Sequence, residues 1–550
     1  MNAPLQSKTV SIDACTEGWY ASYSLDNMPA NAAIVLDNLI PGMGQVESRG
    51  GWLEYGDLGT DAPVETVCSF RSLTYTQLVA ASAGGLWYVE DGPVTQFGTK
   101  AAVVNQIAPP GTYLRDKWQT ANFTKLDEEG VLIMCNGEDL VQIYNGVGAP
   151  NDIVITGTDP SLSLTPDFIG VCVFKGRAYY WKETDNAFYY TQAGSYQGEF
   201  QKFDLGGVTT KGGSIKFITD WTQQDAGGGK DDLLVIMFDT GEILLYQGDD
   251  PESTGFFEIV GKYSTGEPLS IRGYSQYGSD SIIMTQDGYV NLASVIQQGR
   301  TSDVSQFSRL IYNAVAERAE TRGHLYGWEC TLFPRQGLFI FNVPLSIETF
   351  EQHVMNTVTQ KWCRFKDLNV NCWAVHDEQL YAGAQDGKVH WMLETTSDNG
   401  NSILFTALPA FNYFGNQGIH KHIVAANVIS TYSQPENIEI TGYSDFNLPP
   451  ALPDLNVPPR YTPSTWALYP ATYPPWNPPL PGPPYPDQSV VGSYWDEDYW
   501  SAETTPFTTQ GWQSVSAFGY AVTVLIRFAE GSDPVIWRAT NIRYYEAGAQ

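Results

Sequence analysis

The amino-acid sequence predicts an all-β protein whose main domain is a β-propeller of six or seven blades. Three observations predict this fold. Short apolar strands recur in pairs along the middle of the chain, glycine-containing turns join the members of each pair, and the pairs return at intervals that suit four-stranded blades. One such hairpin cannot bury its own apolar face, whereas a ring of hairpins can.

The clearest hairpin joins Leu78–Ala80 to Leu86–Tyr88 through Gly84 and Gly85. Turn residues of this kind favour hairpins. Similar hairpins are marked by six further glycines: Gly137, Gly176, Gly241, Gly288, Gly337 and Gly387. Counted from Gly85, the successive markers are 52, 39, 65, 47, 49 and 50 residues apart. The alternative is a β-sandwich whose turns fall at similar intervals by chance.

Composition supports β structure in more than one domain. The chain has 550 residues, of which 43% are hydrophobic and 13% aromatic, with 52 glycines and 32 tyrosines. This length exceeds what one hydrophobic core usually organises. We predict an N-terminal β segment over residues 1–60 that joins a platform or closes the propeller, a propeller over 61–405, and a C-terminal β domain over 406–550. The terminal segments are predicted to form the platform together.

One helix is predicted late in the propeller, over residues 303–319. Apolar residues recur there at helical spacing behind a Ser302/Asp303 cap, namely Val304, Phe307, Leu310, Ile311 and Val315. We expect this helix to cover a sheet edge or the end of a blade. No apolar stretch approaches the length of a membrane span, and the N-terminus lacks the pattern of a secretion signal. We therefore predict no membrane span.

No motif for catalysis or metal binding stands out. The seven cysteines are scattered through apolar runs without C-x-x-C spacing and are predicted to be buried free thiols. None of the six histidines accompanies a G-x-S-x-G nucleophile elbow. The glycine-rich run Gly227–Lys230 is followed by Asp231 instead of the Ser or Thr of a phosphate-binding loop. We predict no catalytic residue, no metal ligand and no cofactor.

The charge balance is strongly acidic. The formal net charge is −31, from 30 basic and 61 acidic side chains. Ordinary nucleic-acid-binding proteins gain affinity by placing Lys and Arg on phosphates, and this chain has the opposite excess. Such a surface repels phosphate backbones. The alternative purpose of the charge is solubility alone.

The segment 449–486 has an unusual composition, because it holds 15 of the 33 prolines. Proline without periodic apolar spacing favours extended polyproline II structure. The segment also contains six aromatic residues that we predict to be subunit contacts: Tyr461, Trp466, Tyr469, Tyr473, Trp476 and Tyr485. An arm lying across a neighbouring subunit would use these rings. A loose insertion between two strands is the alternative.

Several stretches of the chain resemble a known family. They are Leu36–Gly44 and Ser48–Trp52 near the N-terminus, Phe174–Trp181 and Leu234–Gly248 in the middle, and Trp537–Tyr545 at the end. These stretches are similar to the tail-nozzle or tail-hub propeller proteins of short-tailed bacteriophages, also called packaged-DNA stabilisation proteins. The resemblance touches both ends and the middle of the chain. The proline-rich segment has no counterpart in it.

The resemblance implies a structural virion protein of the phage tail, assembled in the host cytoplasm. It implies a homohexameric ring that contacts head-to-tail adaptor or connector proteins, and tail fibres or spikes as further partners. Genomic DNA would pass through the ring's channel without specific binding. Like charge keeps DNA from adhering, so acidic residues are candidates for the channel lining: Asp231, Asp232, Asp249, Asp250, Asp496, Glu497 and Asp498. For any one of these groups, the alternative is a solvated loop.

An enzymatic alternative also exists for this sequence. Propellers can support glycosidases, for which two carboxylates flanking a sugar are sufficient. The 61 acidic residues leave room for such a pair. The alternative function is therefore a glycan-binding or glycan-degrading tail spike, whose exposed Trp and Tyr side chains would stack on sugars.

Overall fold

A computed structural model describes most of the chain. The described residues are 7–22, 24–94, 100–125, 130–156, 167–224, 230–252, 256–298, 307–432, 438–448, 507–508, 511–530 and 534–547. Six strands form the described N-terminal segment, namely β1 (Lys8–Asp13), β2 (Gly18–Trp19), β3 (Ala32–Asp37), β4 (Leu39–Pro41), β5 (Val46–Ser48) and β6 (Gly51–Asp57).

The next four sheets are blades, each with four antiparallel strands in order from the axis outward. Blade 1 contains β7 (Val64–Arg71), β8 (Thr76–Ser82), β9 (Gly85–Val94) and β10 (Lys100–Ala108). Blade 2 contains β11 (Gln119–Phe123), β12 (Val131–Cys135), β13 (Gln142–Tyr144) and β14 (Asn151–Asp152). After β15 (Ile155–Thr156), blade 3 contains β16 (Phe168–Phe174), β17 (Arg177–Lys182), β18 (Ala187–Thr191) and β19 (Gly198–Asp204). In this blade the short strand β15 adds a fifth, parallel strand beside β19. Blade 4 contains β20 (Ile215–Gln224), β21 (Lys230–Phe238), β22 (Glu242–Gly248) and β23 (Phe257–Ser264).

Three further blades complete the ring. Blade 5 contains β24 (Tyr274–Tyr277), β25 (Asp280–Thr285) and β26 (Gly288–Asn291), followed by the helices α1 (Leu292–Gln298) and α2 (Tyr312–Arg322). Blade 6 contains β27 (Glu329–Phe333), β28 (Leu338–Pro344), β29 (Phe350–Asn356) and β30 (Lys361–Phe365). Blade 7 contains β31 (Val370–His376), β32 (Gln379–Ala384) and β33 (Lys388–Thr395).

The ring of blades is closed by the N-terminal segment. The first strand of each blade lies nearest the axis, and β31 of blade 7 lies beside β7 of blade 1. The fourth strand of blade 7 is β6, which pairs with β33 in a register that places Trp52 opposite Met392. Blades stack face to face, so strands such as β12 and β18 are buried along their whole length. This burial explains their continuous apolar runs.

Both ends of the chain build the platform. Its remaining strands are β34 (Ile403–Pro409), β35 (His420–Tyr432), β36 (Glu439–Ser444), β37 (Phe507–Thr508), β38 (Gln513–Gly519), β39 (Val522–Glu530) and β40 (Ile536–Ala547). In one sheet, β35 pairs with β37, β38 and β40, and the sheet continues from β40 to β1, β5 and β4. The other sheet runs from β30 of blade 6 through β3 and β34 to β39 and β36. Ile423 and Ile542 of the first sheet share a core with Val524 and Ile526 of the second.

The predicted all-β propeller with a platform is confirmed, and the propeller has seven blades. The marker glycines do not all lie in the same turn of their blades. Gly176 and Gly337 lie between the first and second strands of their blades, whereas Gly137, Gly241 and Gly387 lie between the second and third. The intervals of 39 and 65 residues flank Gly176, which marks a different turn from its neighbours.

The helix predicted over residues 303–319 is wrong in its bounds. The helix α2 begins at Tyr312 and ends at Arg322, after a single 3₁₀ turn, and residues 303–306 lie outside the described part of the chain. The amides of Phe307 and Ser308 donate instead to the carbonyl of Tyr289, at 2.7 and 3.3 Å, which ties them to β26. Both helices follow the three-stranded blade 5 and pack on β26, as expected for a sheet-edge cover.

Candidate functional site

The predicted acidic pairs lie at one end of blade 4. Asp231 and Asp232 follow Lys230 at the start of β21, and Asp249 and Asp250 follow β22. Because neighbouring strands run antiparallel, both turns lie at the same face of the propeller. The guanidinium of Arg177, from blade 3, donates to the Asp250 carboxylate and to the Asp249 carbonyl, each at 3.0 Å. These strands are the second and third of the blade, so the acids lie away from the propeller axis.

The other predicted site residues lie outside the described part of the chain. They are the acidic group Asp496, Glu497 and Asp498 and the six aromatic residues of the proline-rich segment. Their assignments to a channel lining and to a subunit contact stay predictions.

The propeller axis is filled by a side chain from blade 5. The guanidinium of Arg272 donates to the carbonyl of Glu65 at 3.0 Å, the hydroxyl of Thr66 at 2.8 Å and the carbonyl of Trp118 at 2.7 Å. These acceptors belong to blades 1 and 2, across the axis. On the blade 6 side, the nearest oxygen of Glu329 lies 3.7 Å away. One arginine therefore connects four blades and plugs the centre of the propeller.

The plug contains a buried carboxyl group. At 3.7 Å the contact between Glu329 and Arg272 is too long for a good hydrogen bond. Burial raises the pKa of Glu329 to about 7, although the charge of Arg272 and the amide of Trp373 oppose that shift. The axis therefore holds an arginine next to a carboxyl group that titrates near neutrality.

A depression of about 660 Å³ lies at the axis, on the face opposite the acidic pairs. Its lining comes from turns of blades 2 to 6 and includes four basic and two acidic side chains: Arg115, Lys117, Lys216, His324, Glu183 and Asp239. The ammonium of Lys117 lies 4.1 Å from the centre of the Tyr326 ring. The lining of the depression therefore carries charges of both signs. No local sequence motif predicts this depression, because its lining residues come from five blades.

One serine–histidine pair was not predicted from the sequence. Ser69 Oγ lies 2.8 Å from Nδ1 of His376, and burial lowers the pKa of that histidine. A catalytic triad also needs a carboxylate bonded to the other ring nitrogen. Asp377 lies 3.7 Å from that nitrogen, and its carboxylate is engaged by Arg71. The pair joins blades 1 and 7 without completing a triad.

The N-terminal stretch of the family resemblance builds the junction between platform and propeller. The side chain of Arg49 is fully buried. It donates to Asn38 Oδ1 at 2.9 Å and to both carboxylate oxygens of Asp398 at 2.9 and 2.7 Å. Asn38 adopts a left-handed conformation, with φ of 62°, which asparagine tolerates better than most residues. Asp398 follows blade 7, so this network ties the platform to the last blade.

A second ion pair ties the platform to blade 6. Asp37, at the end of β3, accepts from Arg364 of β30 at 2.8 and 3.1 Å and lies 3.1 Å from the ammonium of Lys366. Burial opposes the charged form of Arg364, but the Asp37 carboxylate outweighs it and raises the pKa of the guanidinium. The junction is therefore a buried polar network, in which loss of one partner leaves the other uncompensated.

The two terminal stretches of the resemblance meet in the same sheet. Val46 pairs with Trp537, and Glu47 pairs with Ile536, which joins β5 to β40. Trp537 is 2% exposed. Residues almost 500 positions apart therefore contact each other in the platform.

The described ranges contain neither a metal-binding cluster nor a membrane-spanning helix. Within them, no group of three or more His, Cys, Asp or Glu could hold a metal ion. All seven cysteines are free, and six are buried, which confirms the prediction for those six. Among the same residues, no helix has the length and apolar character needed to span a membrane.

Comparison with known proteins gives fold-level similarity only. No family model matches the chain, and no curated protein matches it. The N-terminal part of BBS1, solved in complex with ARL6, is 12% identical over 63% of this chain and 98% of its own, with a TM-score of 0.37. YCF48 bound to a D1 peptide is 10% identical over 62% of this chain and 97% of its own, with a TM-score of 0.34. The extracellular domain of a one-component system of B. thetaiotaomicron is 11% identical over 64% of this chain and 41% of its own, with a TM-score of 0.37. The propeller assignment rests on strand pairing.

Proposed function

We propose that this protein is a structural virion component, a homohexameric tail nozzle or hub of a short-tailed bacteriophage. It retains packaged DNA and conducts it on ejection. The observation that carries the proposal is the platform. The stretches of sequence that resemble this family at the two ends of the chain lie in one sheet there, joined through Val46 and Glu47 of β5, which pair with the start of β40. Arg49 and Asp37 of the N-terminal stretches bind Asp398 after blade 7 and Arg364 of blade 6.

The plugged axis supports a channel between subunits instead of one through each propeller. Arg272 and its partners occupy the centre of the ring of blades. In the proposed hexamer, DNA passes through the space that six copies surround. Rings of this kind close through a repeated heterologous contact. The excess of acidic residues keeps the interaction with DNA weak.

The oligomer is the first test of the proposal. Mass photometry of the purified protein should show a hexamer of about 365 kDa, six times the 60.8 kDa of the chain, and a heavier species once its adaptor is added. A monomer or a trimer that ignores the adaptor would contradict the nozzle. Release of reducing sugars from host glycans would favour the tail-spike alternative. Labelling of Ser69 by a fluorophosphonate probe would contradict a purely structural role.

The proposed effect of the acidic residues on DNA binding is tested by a charge substitution. Asp249 is exposed, and Arg177 binds its backbone carbonyl, so D249K changes the charge without removing that contact. We expect D249K rings to bind duplex DNA more tightly, with a stronger salt dependence, because an added lysine releases counterions. The exposed Glu348 gives a charge-matched control, E348K. Equal DNA binding by the two variants would remove Asp249 from the channel lining.

A further inference from the structure

The outer face of the platform sheet carries a cluster of exposed aromatic side chains. Phe518 is 53% exposed, Tyr520 45% and Trp512 39%. His422 of β35 pairs with Phe518 of β38. The ring of His420 lies 3.9 Å from that of Tyr520 and 4.8 Å from that of Phe518, centre to centre. We call these five residues the aromatic face. Grouped exposed rings of this kind mark binding surfaces.

The chain leaves the described fold at one end of this face. The Asp445 carboxylate accepts hydrogen bonds from the amides of Tyr520 and Ala521, at 2.7 and 3.1 Å. Asp445 is therefore held at the backbone of Tyr520, four residues before the proline-rich segment begins at residue 449.

The chain returns at the opposite end of the same sheet. Thr508 of β37 pairs with Thr431, near the end of the 13-residue strand β35 that begins at His420. The two ends of β35 are about 40 Å apart. After β37 the chain reaches Trp512, whose ring stacks on Arg543 of β40 at 4.4 Å. The points of departure and return thus flank the aromatic face.

The intervening segment has the length and composition to occupy this face. It contains 58 residues, 449–506, and its proline-rich part would span roughly 120 Å as polyproline II. Proline-rich extended segments dock on surfaces lined by aromatic rings. Arg460 is the only basic residue of the segment, which otherwise carries six acidic residues, whereas Arg543 supplies a cation on the face.

We propose that the aromatic face binds the proline-rich segment 449–486 of the same chain. Because the chain is held at this sheet by Asp445 before the segment and by β37 after it, the effective concentration of the segment at the face exceeds that of any segment from another copy. The six aromatic residues predicted as subunit contacts would then lie on their own platform. The proposal does not depend on the nozzle function.

Arg460 provides the readout, because it is the only trypsin site between residues 449 and 506. In the full-length protein, F518A/Y520A should make cleavage after Arg460 about tenfold faster, because two aromatic contacts are lost. F518A alone should give a smaller increase. Leu73, 82% exposed in a turn of blade 1, gives the matched control L73A, which should leave the rate unchanged. Unchanged melting temperatures show that each variant is folded.

Two results would overturn the proposal. Equal cleavage rates in the wild type and F518A/Y520A would show that the aromatic face does not hold the segment. Cleavage that slows as the protein concentration rises would show that the occupant comes from another copy. Mass photometry of the same samples measures the hexamer independently. Failure of the segment-binding proposal can therefore be distinguished from failure of the nozzle proposal.

Discussion

The substitution E329Q tests the buried carboxyl group at the propeller axis. The pKa of Glu329 is about 7 in the folded protein, against an ordinary value of 4.5. Between these values the folded state holds a proton that the unfolded chain has lost, so stability falls as the pH rises from 4.5 to 7. At 1.36 kcal/mol per pKa unit, the loss is about 3 kcal/mol. Gln cannot ionise, so E329Q should not show this loss.

The assay is thermal unfolding of both proteins from pH 4.5 to 8. For a protein of this size, about 3 kcal/mol corresponds to a melting-temperature change of roughly 3–5 °C. The melting temperature of E329Q relative to wild type should therefore rise by that amount across the range. Arg272 keeps its three other acceptors in E329Q, so any cost of removing the contact is independent of pH. Exposed Glu348 supplies the control E348Q. A constant difference between E329Q and wild type would refute the assignment of a raised pKa.

Two further substitutions probe the junction and the ring closure. R49A should lower the free energy of unfolding by about 3–5 kcal/mol, because it leaves the Asp398 carboxylate without its bidentate partner. The control R71A removes an ion pair whose side chains are 59% exposed, and it should cost under about 1 kcal/mol in the same thermal assay. Equal losses in the two variants would refute a special role for the junction. His390 stacks on Trp52 at 3.9 Å where β33 meets β6, and burial lowers its pKa to about 4. The folded protein resists protonation of this histidine, so stability that is present above pH 6.5 is lost as the pH falls towards 4. H390Q should therefore lose about 3 kcal/mol less stability in acid than the wild type. Parallel curves of stability against pH for the two proteins would contradict this.

Local features of this fold were predictable from the sequence. The hairpin predicted through Gly84 and Gly85 forms, with Gly84 at a positive φ of 71° that glycine favours, although its two turn residues are Ala83 and Gly84 and Gly85 begins β9. Strands buried between blades appear as uninterrupted apolar runs, as in Val131–Cys135. The blade count stayed open between six and seven because the marker glycines do not all occupy the same turn. The start of α2 was misplaced because the tie between Phe307 and Tyr289 is a tertiary contact.

The axial plug and the junction were not predictable, for a different reason. Arg272 meets Thr66 and Trp118 across more than 150 residues of chain, and Arg49 meets Asp398 across 349. Arg272, Thr66 and Trp118 belong to no local motif, and the stretch that contains Arg49 does not indicate that its partner is Asp398. Only closure of the ring brings them together, so no spacing rule along the chain could identify them.

The Arg272 plug also bears on where DNA would run in the proposed assembly and which acidic residues it would pass. If DNA crossed the centre of each propeller, the Arg272 network would have to open, and a buried cation would then face the phosphates. That arrangement would favour adhesion over passage. A channel between subunits requires no such opening and exposes DNA to the outer turns of the blades, where Asp249 and Asp250 lie. The nozzle proposal therefore requires the face of blade 4 that carries these residues to turn towards the sixfold axis, and a ring map with that face turned outward would contradict this part of it.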